Sequence, residues 1–122
     1  MAFEASVAPD STHVVVSVTG SLTTPEVTEM VAAARALSDR TSLPILYDMS
    51  GATPGDVSKS DLFWMPRKLG VLNSPWARRV RVALLHPEAH VESAHFWETS
   101  FRNLGLDVKA FTDRREAVAW LA

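Results

Sequence analysis

The sequence predicts an α/β fold: a mixed, mostly parallel five-stranded sheet in the order ββαβαβαβα, with helices mainly on one face and an antiparallel N-terminal hairpin. Three observations carry this prediction. Strand-like and helix-like apolar periods alternate along most of the chain, as in βα units joined by right-handed crossovers. The first two strands are separated only by a short turn, so they pair as a hairpin. The first, second and last strands carry polar residues on one face, whereas helices on both sides of a sheet would bury both faces.

Taken in order, Phe3, Ala5 and Val7 alternate with Glu4, Ser6 and Ala8, and Pro9-Asp10-Ser11 supplies a turn. His13 to Thr19 is the partner strand, with Val14, Val16 and Val18 on one face and Val15 breaking the alternation. Gly20 is expected to end it. Two caps compete to start the first helix: Thr23 boxed with Glu26, or Thr24 with Pro25 at the first helical position. Val27, Met30, Val31, Ala34 and Leu37 form its stripe, and Ser38-Asp39-Arg40 ends it.

Leu43 to Met49 is apolar on both faces until Asp48, which marks a central strand, and Ser50 to Gly55 reads as a loop. A second helix runs from about Ser58 to Asn73, kinked or broken at Pro66. Arg79 to Leu85 is a strand, and Pro87 to Leu104 a third helix with Ala94, Trp97, Phe101 and Leu104 inward. Asp107 to Phe111 is the last strand. Asp113 with Glu116, or Thr112, caps a final helix whose Ala117, Val118 and Leu121 pack inward.

The chain has 122 residues, 47% hydrophobic and 21% charged, which suits one domain over residues 1–122. It has no cysteine, which excludes disulfides, thiolate metal sites and cysteine nucleophiles. A net charge of −2 and short basic runs give no field for nucleic acid. The N-terminus lacks a signal-peptide pattern, the apolar runs are too short for a membrane span and no lipidation motif closes the chain, so a cytoplasmic protein is expected.

Ile45-Leu46-Tyr47-Asp48-Met49-Ser50-Gly51-Ala52-Thr53 resembles the strand-to-loop signature of STAS (SpoIIAA-like) domains. Gly20-Ser21-Leu22-Thr23, Val82-Ala83-Leu84-Leu85 and the tail from Val108 to Leu121 are similar to the bacterial STAS-like, lipid-transfer-related branch. The resemblance implies a βα-wound sheet and a non-enzymatic domain. Some such domains antagonise anti-sigma factors under serine phosphorylation, and others bind nucleotides or apolar ligands. In the antagonists, a serine after Asp at the start of the second helix takes the phosphate. Here Val57 stands at that position and Ser58 follows it, a candidate phosphoacceptor that serves equally as an N-cap with Asp61.

The residues themselves weigh further chemistries. His86, His90 and His95 lie among Glu88, Glu92 and Glu98, but His90 and His95 stand about 140° apart on a helix, so no metal site is expected. Neither a Gly-x-Ser-x-Gly elbow nor a phosphate-binding glycine loop occurs, so no catalytic residue and no cofactor is expected. A small enzyme using His90 or His95 is the residual alternative.

The aromatics are more informative. Adjacent Phe63 and Trp64 cannot share the stripe of Leu62 and Met65, and Phe96 lies off the Ala94–Trp97–Phe101 face, exposed in a monomer. Phe63 and Phe96 are therefore interface candidates, and Trp64, Met65, His90 and Trp97 line an expected apolar groove between the second and third helices. The resulting expectation is a non-catalytic binding or regulatory domain, a homodimer that takes a small apolar or lipid-like ligand or a regulatory protein partner. A phosphorylation-regulated antagonist of the anti-sigma type is the alternative.

Overall fold

A computed structural model describes residues 3–53, 60, 61, 64, 67 and 79–122. Phe3–Val7 (β1) and Val14–Ser21 (β2) pair antiparallel, Phe3 opposite Val18 and Val7 opposite Val14. Asp10 shapes the turn between them, its Oδ1 accepting from the Thr12 N–H at 3.2 Å and the Thr12 hydroxyl at 2.8 Å. β2 does not stop at Gly20. It runs through that glycine at φ 79°, a left-handed backbone that a side chain resists, to Ser21.

The first helix is Thr24–Thr41 (α1), and its cap is Thr23. The Thr23 Oγ1 accepts from the Glu26 N–H at 3.4 Å and donates to Glu26 Oε1 at 2.9 Å, while Pro25 sits in the first turn, where no N–H is needed. Ser42 ends it in the left-handed region at φ 58°, its N–H donating to the Ser38 carbonyl at 2.7 Å.

Ile45–Thr53 (β3) continues well past Met49, so the loop expected from Ser50 is strand as far as Thr53. Ser60, Asp61, Trp64 and Arg67 are helical; the rest of the helix expected over 58–73, Pro66 included, lies outside the described residues. Arg81–Leu85 (β4) follows. The helix expected from Pro87 is two pieces: a 3-10 turn, Glu88–His90, then Val91–Arg102 (α2). Asp107–Phe111 (β5) and Arg114–Leu121 (α3) complete the chain, with Asp113 as the cap of α3.

The sheet order is β1-β2-β3-β4-β5, antiparallel only between β1 and β2. Strands added in one direction through right-handed crossovers put every crossover on the same face. Accordingly Val27, Met30, Val31 and Ala34 of α1 and Ala94, Trp97 and Phe101 of α2 share one core with Val16, Ile45, Tyr47, Val82 and Val108. α3 follows the last strand and crosses to the other face, where Ala117 and Leu121 pack on Leu46, Ala83 and Leu85. Val15 belongs to this second cluster, which is why it interrupts the alternation of β2. α3 covers only part of this face, and Glu4, Ser6, Ser17 and Thr19 beyond it are exposed.

Candidate functional site

β3 is not a regular strand. Ser17 pairs with Asp48 and Thr19 with Gly51, so between these pairs β2 contributes Val18 and β3 contributes both Met49 and Ser50. This is a β-bulge, and the extra residue shifts the side-chain alternation by one. Ile45 and Tyr47 face the main core before it, and Ala52 faces the same core after it.

Asp48 holds the bulge. Its Oδ1 accepts from the Ser50 N–H at 3.1 Å and from the Ser50 hydroxyl, and its Oδ2 receives the Arg114 guanidinium at 2.6 Å. Burial pushes the Asp48 carboxyl up, but the Ser50 hydrogen bonds and the Arg114 charge outweigh it and hold the group below the usual carboxylate range. Gly51 lies close to β2, where a Cβ would stand a tight 3.3 Å from both the Val18 carbonyl oxygen and Thr19 Cγ2.

Beyond the bulge an apolar cavity of about 90 Å³ opens. Its walls are Met49, Ala52 and Thr53 from β3, Leu84 from β4, Leu22 and Val27 from the entry to α1, and residues between His86 and Trp97. It therefore lies outside the carboxyl ends of two parallel strands, beside the start of α1, which follows β2, and the start of α2, which follows β4, the usual kind of location for ligands in open α/β sheets. Trp97 is its back wall, stacked on Phe101 at 5.6 Å and 8° and tilted against Tyr47 at 6.2 Å.

The structure brings three of the candidates together here: His90, Trp97 and Phe96 all line the cavity. Phe96 corrects an expectation. It is half-buried rather than exposed, because it packs against the main core and lines the cavity beside Trp97. Trp64 is not among the lining residues; it is 51% exposed, with the Arg67 guanidinium 5.8 Å from its ring centre. Asp61 accepts from the Thr24 hydroxyl at 2.7 Å, at the positive end of α1. Ser58, Phe63 and Met65 lie outside the described residues. Among the described residues, no group of three His, Asp or Glu side chains is placed to hold a metal ion, and no helix is long and apolar enough to cross a membrane.

Sequence reasoning missed three residues. Met49 reads as the last residue of its strand and Ala52 as loop, so the bulge that brings both to the cavity was hidden. His86 was weighed only as a metal ligand. Its place directly after a buried strand, before Pro87, was the available signal.

A family model for SpoIIAA-like proteins matches residues 13–122. The chain belongs to the SpoIIAA-like family. No curated protein matches. Among solved structures, the chain is similar to an uncharacterized protein of the DUF3478 family with a SpoIIAA-like fold from Shewanella loihica PV-4. The two are 21% identical, with a TM-score of 0.57, over 99% of this chain and 93% of that one. This likeness shows the SpoIIAA-like fold that the resemblance implied, and the expected antiparallel N-terminal hairpin is the β1–β2 pair.

Proposed function

We propose that this SpoIIAA-like chain is a non-catalytic binding domain that takes a small apolar group into the cavity beyond the β3 bulge. The observation that carries the reading is the cavity itself: apolar walls at the carboxyl ends of β3 and β4. Size narrows the ligand. An engineered apolar cavity of about 150 Å³ holds one benzene, so about 90 Å³ takes a few heavy atoms or the end of a longer, lipid-like chain.

We further take the domain to act as a homodimer, a reading supported by the exposed Trp64 and by an asymmetry between the sheet edges. At β5 the Glu98 carboxylate occupies the outward Ala110 N–H at 2.6 Å and the Phe101 carbonyl accepts from Leu106 N–H at 3.3 Å. The β1 edge carries no such cover among the described residues, and an open edge pairs readily with another strand. Native mass spectrometry of the purified protein reads both parts. Twice the chain mass with a retained small molecule is expected, and the retained mass disappears in Ala94→Leu, which fills the cavity. A monomer contradicts the dimer, and an identical retained mass in Ala94→Leu contradicts the cavity as its site.

A further inference from the structure

We propose that His86 selects the ligand: the cavity takes an apolar group that ends in a hydroxyl, whose O–H donates to His86 Nε2. This rests on reading the cavity as a ligand site. Of the polar side chains in the wall, Thr53 is exposed and His90 and Ser93 are half-buried, whereas His86 is 7% exposed. Its backbone is fixed by the His86 N–H donating to the Phe111 carbonyl at 3.0 Å. Its ring is fixed too, since Nδ1 lies 2.8 Å from the Pro87 carbonyl oxygen, an acceptor only. Nδ1 therefore carries a proton, and Nε2 is the acceptor of the neutral ring.

Nε2 has no hydrogen-bond partner among the described residues. A ligand that fills the cavity and displaces water from this nitrogen keeps the hydrogen bond only by bringing a donor of its own. A site that holds one fixed acceptor discriminates by the donor the ligand brings, because an analogue without it leaves the acceptor unpaired. The head group is then read by His86 and the body by the apolar walls, Leu84, Ala94 and Trp97.

The test is an NMR titration of the protein with 1-butanol and with 1-chlorobutane, a probe of similar shape without an O–H. In His86→Asn the amide retains a donor for the Pro87 carbonyl and removes the acceptor at Nε2. The expected result is about a fivefold loss of 1-butanol affinity, the worth of one hydrogen bond, with 1-chlorobutane unchanged. His86→Gln, whose longer amide reaches the place of Nε2, retains 1-butanol binding and decides the matter should His86→Asn fail to fold. Equal losses for both probes in His86→Asn, or no loss for 1-butanol, would overturn the role of His86 while leaving the cavity as a binding site. Selective loss of 1-butanol in His86→Gln would overturn it likewise. Failure of both probes to shift cavity resonances in the unmodified protein contradicts the cavity reading itself, and this inference with it.

Discussion

Tyr47 is the chain's single tyrosine, and it is 2% exposed in the middle of β3. Burial pushes its phenol up to about 12, against the opposing pull of the Arg35 charge. Arg35 of α1 has its Nε and Nη1 buried and without a hydrogen-bond partner among the described residues. The sign follows from linkage: the unfolded chain releases the phenolic proton near pH 10 and the folded chain near 12. Stability from the neutral phenol is thus complete below pH 10 and falls between 10 and 12, by about 1.4 kcal/mol per pH unit. Absorbance at the phenolate band, which reports this residue alone, should show native ionisation only near pH 12. Ionisation near pH 10 in the folded protein contradicts the burial. Arg35→Met is expected to stabilise the fold by about 1 kcal/mol in urea unfolding, because it removes unpaired buried donors while keeping the aliphatic stem. A loss of stability would show that the guanidinium has a partner.

Among elements, β3 carries most of what was not legible in the sequence. Its apolar start, Ile45 to Tyr47, is plain as a central strand, and it is buried on both faces. The continuation through Ser50-Gly51 reads as a loop because serine and glycine are turn formers. Tertiary context reverses that preference: Asp48 satisfies the Ser50 N–H, and Gly51 lets the β2 backbone approach. A bulge in a parallel pair has no local signature, so the residues it turns toward the cavity could not be assigned from period alone.

The same arrangement gives the element its pH dependence. The folded Asp48 carboxyl is held below its unfolded value, so its contribution is present above the unfolded pKa and is lost as pH falls through the folded one. Asp48→Asn should cost about 1–2 kcal/mol at neutral pH, with the difference from the unmodified protein closing in acid. A difference independent of pH would mean that the charge of Asp48 has no part in bracing the bulge. Two helix starts, by contrast, were narrowed to a pair of candidates each, Thr23 or Thr24 and Asp113 or Thr112, because a cap is a local hydrogen bond; the structure uses Thr23 with Glu26, and Asp113.

At the scale of the whole molecule, strand order and the side of each crossover follow from a chain that adds parallel strands in one direction. Polar residues on β1 and β2 announced the uncovered part of the second face, whereas Val15, an exception in the sequence, is explained only by the cluster that α3 covers. Of the residues expected to line a groove between the second and third helices, Trp97 and His90 line the cavity and Trp64 does not, while Met65 lies outside the described residues. The described wall that completes the cavity is the bulged end of β3 and the entry to α1. That wall depends on long-range packing that no window of sequence contains.

The central claim is that this cavity admits an apolar group, and a methyl-NMR titration with 1-chlorobutane tests it most directly. Saturable shifts are predicted for the methyls of Leu22, Val27, Met49, Leu84 and Ala94, with Leu46 and Leu121 on the other face of the sheet unmoved. Shifts spread evenly over both faces, or none at the cavity, would contradict the account.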